Sequence, residues 1–212
     1  IAEDKGALLI VMANPLALGI LEAPANLGAD IVVGDTQPFG LPMSFGGPHC
    51  GYFSVNQEHI RKVPGRIVGE TVDADGERAF VLTLQSREQH IRREKATSYM
   101  SSNQALNALA SAVCMAALGK QGVQEMAQLN VDKAAYFAQA LQDKGFAVLN
   151  HSPFFNEFVI DLPFPAEDAN KALLEAGIIG GYSLAETYKK PNQLLVCATE
   201  KRTKEEIDRF IA

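Results

Sequence analysis

Short unbroken apolar runs punctuate the first hundred residues, and helical spacing takes over after residue 104. Residues 7–12 (ALLIVM) form a continuous apolar run, the pattern of a strand in a parallel sheet covered on both faces. Residues 16–21 suit a short helix, because the preceding Pro15 is tolerated where a helix begins. Gly28-Ala29-Asp30 then leads into Ile31-Val32-Val33, a second β-branched strand. The spacing of the two runs allows one crossover between parallel neighbours. Residues 52–55 resume as a strand. Residues 70–84 read as a hairpin, with Asp75-Gly76 at the turn and 79–84 (AFVLTL) as the return.

Ser101 followed by Gln104 has the spacing of a helix-opening capping box. Leu106, Leu109, Val113 and Ala117 then recur at helical spacing. After Gly119 and Gly122, Val123, Met126, Ala127, Ala134, Phe137, Ala138 and Leu141 continue the pattern up to Gly145. This predicts two helices or one broken long helix, packed along a wide apolar face. The tail alternates more cleanly. Strands are expected at 146–149, 157–162, 178–182 and 194–198. A helix over 165–176 is closed by Gly177, and Thr203 with Glu206 opens a terminal helix. The β-β-α-β-β-α order describes a small α/β domain of about 65 residues, well within the usual domain range.

Between the second strand and the third lies GDTQPFGLPMSFGGPHCG (34–51), with five Gly and three Pro. Neither a helix nor a central strand tolerates that density. Irregular loops of this length in compact domains are usually functional or mobile. Bare glycine backbone at 46–51 could let N–H groups approach an anion, or the loop could be structural. It is neither a Walker loop nor a dinucleotide fingerprint. His49 sits inside it, where an imidazole could donate to a phosphate or carboxylate or be satisfied by loop backbone. The run REQHIRREK (87–95) is locally basic. Arg87, His90, Arg92 and Arg93 could clamp an anionic group or a partner's acidic face. The competing account is a solvated helical face with Glu88 and Arg92 paired at i,i+4.

Composition narrows the classes. The chain has 212 residues, 47% of them hydrophobic and 21% charged, with a formal charge of −6. Whole-chain disorder is excluded, and a bulk-charge nucleic-acid binder is disfavoured. No apolar run reaches the roughly 18 residues of a membrane span. Cys50, Cys114 and Cys197 are three, widely spaced and without a CxxC pair, which suggests buried thiols in a reducing cytoplasm. His59, His90 and His151 form no metal-like spacing, so no metal site is expected. The chain opens IAEDKG and enters an apolar strand at once, as a piece of something longer would.

Four stretches carry a family resemblance: GADIVVGDTQPFGLPMSFGGPHCGYFSV (28–55), PGRIVGETVDADGERAFVLTLQSREQHIRREKATS (64–98), NQALNAL (103–109) and PFFNEFVI (153–160). Together they make the chain resemble the glycine cleavage system P-protein, a pyridoxal-phosphate (PLP) dependent glycine decarboxylase. The resemblance is to its N-terminal half, which in many bacteria is a separate subunit 1 paired with a subunit 2. It implies an α/β fold of the PLP-dependent transferase type I, here a partial large domain plus a small C-terminal α/β domain. The corresponding boundaries are 1–100 for the large-domain part, 101–145 for connecting helices and 146–212 for the small domain.

The resemblance also implies a division of labour. Catalytic members of the fold carry a lysine shortly after the strand matching 31–33, and it holds PLP covalently. Here that stretch reads Asp35-Thr36-Gln37-Pro38-Phe39-Gly40, and the first lysine after Lys5 is Lys62. The acidic residue that steadies the pyridine nitrogen is likewise replaced, in VMANP (11–15), by Asn14. The chain is therefore expected to be a non-catalytic half, inactive alone, with PLP held by its partner. Ser44, Gly46, Gly47 and His49 are expected to shape the partner's PLP pocket. Arg87, His90, Arg92 and Arg93 are expected at a surface for subunit 2 or the lipoyl H-protein. The alternative is a structural or regulatory scaffold that never touches the pocket.

Overall fold

The computed structural model describes residues 2–63, 65–96 and 104–212. The chain divides into two compact units, Ile1–Ala117 and Leu118–Ala212. The capping box expected at Ser101 lies outside the described residues.

In the first unit, β1 (Ile10–Met12) and β2 (Ile31–Asp35) pair in parallel, with Ile10 opposite Ile31, and β3 (Gly51–Val55) adds antiparallel to β2. The expected crossover is present. It is made of two 3₁₀ turns, Ala17–Gly19 and Pro24–Leu27, in place of an α-helix. Gly19 and Pro24 sit too close together for a longer helix to form between them. Gly34 is required by close approach: a Cβ there would lie 2.3 Å from both the Ala13 carbonyl and the Tyr52 ring, and the Tyr52 hydroxyl donates to that carbonyl at 2.8 Å. The expectation that the first strand is covered on both faces is corrected. Leu8, Ile10 and Met12 are exposed, Met12 at 85%, because β1 is the edge of a three-stranded sheet with little packed against it among the described residues.

The hairpin forms as predicted, from β4 (Ile67–Val72) and β5 (Arg78–Thr83). Asp73 Oδ1 accepts from the N–H groups of Asp75 and Glu77 and shapes the turn. A single helical turn, α1 (Gln89–Arg92), follows. The long helix α2 (Ala105–Asp143) is broken at Gly119, whose φ of 63° and ψ of −179° interrupt the ladder. The expectation of one apolar face along its whole length is corrected. Leu106, Leu109 and Val113 are exposed, Leu106 at 79%, whereas Ala127, Ala134, Phe137, Ala138 and Leu141 are buried.

The second unit is a four-stranded antiparallel sheet in the order β6 (Ala147–Val148), β7 (Glu157–Asp161), β9 (Gln193–Cys197), β8 (Tyr182–Ser183). Helices α3 (Ala166–Glu175), α4 (Ala185–Tyr188) and α5 (Lys204–Ile211) complete it. Phe158 and Ile160 on β7 and Leu194 and Val196 on β9 alternate inward, the period of two that a half-buried strand requires. They meet Phe137, whose ring makes edge-on contacts with Phe158 at 5.4 Å and Phe210 at 4.9 Å. The Thr203–Glu206 capping box is present in both directions. The strand expected at 178–182 shrinks to β8. A Cβ at Gly181 would stand 2.3 Å from the Leu195 carbonyl, so the chain closes on β9 there as a connection and pairs only from Tyr182.

Candidate functional site

The glycine-rich segment leaves the C-terminal end of β2 and returns into β3, so the sheet fixes both of its ends. Phe39 and Leu41 are buried and pin its first half. Asp35 Oδ1 accepts from the Gln37 N–H at 2.7 Å, and Gln37 Nε2 donates to the Leu41 carbonyl at 2.9 Å. Across the base, Thr36 N–H and Thr36 Oγ1 both donate to the Cys50 carbonyl, at 2.8 and 3.0 Å. The tip is held differently. Residues Ser44, Phe45, Gly46 and Gly47 run with φ of 44°, 54°, 107° and 148°, a left-handed path that is costly for the two non-glycines. Met43 and Phe45 project into solvent.

This path decides which groups face outward with capacity to spare. The N–H groups of Gly46 and Gly47 both donate to the Met43 carbonyl, at 3.0 and 3.2 Å. The Gly46 and Gly47 amides are thus spent within the loop and do not face an anion in this conformation. Ser44 is exposed. His49 is half-buried; its Nδ1 has no hydrogen-bond partner and lies 3.8 Å from Asp35 Oδ1, beyond hydrogen-bond reach. The donor-bearing side chains the loop offers an anion are therefore the Ser44 hydroxyl and the His49 imidazole.

The basic run splits. Arg87 is 5% exposed; its guanidinium donates to the carbonyls of Val63 and Gly65 and stands 3.8 Å from Glu88. Its place on a docking surface is corrected: it ties the carbonyls of Val63 and Gly65 to the segment after the hairpin. Glu88 is buried beside it, so the expected solvated Glu88–Arg92 face does not form. His90, Arg92 and Arg93 are exposed.

Several groupings escaped the sequence. The fold brings ligand atoms of Asp30, Glu58 and His59 within 4.8 Å of one another. The Asp30 carboxylate already accepts from Leu9 N–H and Asn56 Nδ2. In the second unit Asn130, fully buried, donates to Glu200 at 3.0 Å and accepts from Asn156 at 3.3 Å, which pins the turn after β9. Beside that turn is a cavity of about 340 Å³ lined by Phe137, Ile178, Val196, Cys197, Arg202 and Arg209, among others. Cys197, expected to be buried, is exposed; partial desolvation first, then the charges of Glu157 and Glu200, push its thiol up to about 11, so it stays protonated and a poor nucleophile at neutral pH. Only side-chain pairing across distant segments reveals these sets, and linear spacing carries no trace of it.

The fold places the chain in a class. It superimposes on a NifS-like protein from Rickettsia africae with a TM-score of 0.64 at 12% identity, covering 99% of this chain and 53% of that one. That is the architecture of the PLP-dependent transferases of type I. The particular lineage comes from closer matches. The pattern of the glycine cleavage system P-protein family matches residues 1–212, and the chain belongs to that family. It is 65% identical over 209 residues to the probable glycine dehydrogenase (decarboxylating) subunit 1 of Brevibacillus brevis, covering 98% of this chain and 46% of the relative. It also matches a crystal structure of glycine decarboxylase (P-protein) of the glycine cleavage system in inhibitor-bound form. There the TM-score is 0.92 and the identity 43%, covering 99% of this chain and 48% of that one. The chain thus spans about half the length of the relatives it matches.

Proposed function

We propose that this chain works as the non-catalytic side of a PLP-dependent glycine decarboxylase, in the cytoplasm. Assembled with a second, PLP-carrying subunit, it lends residues 44–49 to the partner's cofactor pocket. The observation that carries the reading is the pairing of two facts. β2 runs directly into the loop with no lysine between Lys5 and Lys62, yet the loop presents a serine hydroxyl and a histidine at its outward side. Those groups suit PLP as contributors: Ser44 and His49 can donate to a phosphate, and Gly46 and Gly47 allow close approach without offering their N–H groups. No amine is at hand to hold the cofactor covalently, so the partner supplies it.

When bound, PLP withdraws electrons from the glycine α-carbon so that the carboxyl group can leave as CO2. This chain's share is to orient the cofactor's phosphate end, to help close the pocket to water, and to keep Asp35 beside the His49 ring. The remaining aminomethyl carbon would be taken by an oxidised lipoyl disulfide on the H-protein, whose S–S bond breaks so that one sulfur bonds the carbon and the other leaves as a thiol. Arg92 and Arg93 form the exposed cationic face, flanked by His90, on which the partner subunit or that lipoyl carrier docks. A scaffold role without pocket contact is the competing reading, favoured by the glycine amides being spent on Met43. The test is glycine–bicarbonate carbon exchange by the complete first and second subunits mixed together. His49→Ala is expected to lower exchange at least tenfold with assembly intact. Unchanged exchange leaves the scaffold reading standing.

A further inference from the structure

Helix α2 begins with an inverted face. Its exposed side carries Leu106, Leu109 and Val113, and its inner side carries Asn107, Ser111 and Cys114. A helix face held only by apolar burial would be built the other way round. The inner polar groups all act on one target, the base of the glycine-rich loop. Asn107 Nδ2 donates to the His49 carbonyl at 3.3 Å. Ser111, 2% exposed, donates to Thr36 Oγ1 at 3.0 Å. The Thr36 hydroxyl has one proton, and it is given to the Cys50 carbonyl, so Thr36 must accept from Ser111. Gly40 closes the contact: a Cβ there would lie 3.0 Å from Cys114 Cβ.

Asn107 and Ser111 are four residues apart and so lie one above the other on a single face. Through them one helix face holds two successive carbonyls, one directly and one through Thr36. The carbonyl of His49 fixes that residue's ψ, and the carbonyl of Cys50 fixes the next peptide plane. With both set, the Cα–Cβ direction of His49 is set too. Among the described residues the ion-pair partner beside the ring is Asp35, at 3.8 Å and without a hydrogen bond, which leaves the orienting to the backbone clamp.

We propose that Asn107 and Ser111 are positioning residues for His49, clamping the two carbonyls so that the imidazole meets the cofactor site in one orientation. This rests on the preceding reading that the loop borders the partner's PLP. A misaimed donor loses most of its hydrogen bond even when it remains present.

The test uses the chain assembled with its PLP-carrying partner subunit, stripped of cofactor and titrated with PLP, with binding read by PLP fluorescence. His49→Ala is expected to weaken PLP binding about tenfold, the loss of one charge-assisted hydrogen bond. Asn107→Asp keeps the size but replaces the donor with a repelled acceptor, and is expected to weaken binding about three- to tenfold. The double variant is expected to bind no more weakly than His49→Ala alone, because the clamp acts only through the ring. If His49→Ala weakens binding and Asn107→Asp does not, or if the two losses multiply, the clamp is overturned while the loop reading survives. If His49→Ala changes nothing, the loop reading has failed and the clamp falls with it. Should Asn107→Asp not fold, Asn107→Ala and Ser111→Ala remove the donors without adding charge and are judged by the same outcomes.

Discussion

The two halves of helix α2 share a spacing and differ in everything the spacing was expected to decide. In the second half Ala134, Phe137, Ala138 and Leu141 belong to a closed core with Phe158, Ile160, Leu194 and Val196, against which Phe146, Phe154 and Phe210 also pack. In the first half the equivalent apolar stripe is bare, and the buried side is Asn107, Ser111 and Cys114 against a loop. From residue 105 to 119 there is no charged side chain at all. Periodicity reports that a helix has an apolar face, but not that its own chain covers that face. The relatives are about twice as long as this chain, and the uncovered stripe belongs to the unit that also leaves β1 bare. The second unit has a closed core of its own, whereas the start of α2 and β1 in the first unit leave their apolar side chains exposed.

The sharpest way to break this contrast is to truncate one apolar residue on each side of Gly119. Phe137→Ala removes a ring that touches Phe158 and Phe210, and is expected to cost about 3–5 kcal/mol. Leu109→Ala, in the chain by itself, is expected to fall within about 0.5 kcal/mol of the parent, as exposed positions do. Urea denaturation of both variants measures it. Equal losses would mean that the first half is covered in solution.

Polar residues sharpen the same comparison at smaller amplitude. Asn130→Leu leaves the half-buried Glu200 and Asn156 side chains short of a partner, and should destabilise the second unit by about 2 kcal/mol. Ser111→Ala removes one donor from a hydroxyl that keeps its bond to Cys50, and should cost about 1 kcal/mol. Thermal unfolding ranks them. A larger loss for Ser111→Ala would show the loop, and not the apolar core, to be the more demanding neighbour.

How far the sequence could be read follows the same divide. In the second unit the strands at Glu157–Asp161 and Gln193–Cys197, the helix closed by Gly177 and the Thr203 cap are each set by local chemistry, and each was predictable. In the first unit the glycine-rich loop and the Asp75-Gly76 hairpin were legible for the same reason. Three features were not. Arg87 reads as surface because its neighbours are charged, but it is buried by two carbonyls, of Val63 and Gly65, whose approach depends on how the hairpin folds back. The spending of the Gly46 and Gly47 amides depends on a left-handed path through Ser44 and Phe45, which no residue type there announces. The Asn107 and Ser111 clamp joins positions 58 and 75 residues apart. Site chemistry was visible as residue types, and the geometry that selects among them was not.

The smallest effect tests whether the second unit is held by anything beyond its core. At the surface end of α5, Asp208 accepts from Lys204 at 2.5 Å and from the Tyr136 hydroxyl on α2. The Lys204 and then the Tyr136 hydrogen bonds hold the Asp208 carboxyl below its ordinary value, and the Asp208 bond chiefly raises Lys204. A depressed carboxylate contributes stability above its unfolded value of about 3.9 and loses it as the pH falls through the lower folded one. A raised lysine contributes below about 10.4 and loses it as the pH rises through the higher folded value. The contact is therefore at full strength across neutral pH and fails at both extremes. Both groups are fully exposed, so solvent screens the pair and the effect is slight. Asp208→Asn is expected to lower the thermal midpoint by a small margin at pH 6, and to match the parent once the pH is well below 3. In about 1 M salt, where screening acts within about 3 Å, the margin at pH 6 should shrink. A margin that persists unchanged from pH 6 to pH 2 would mean that Asp208 acts through packing against Tyr136. The surface end of α5 would then be held to α2 by van der Waals contact.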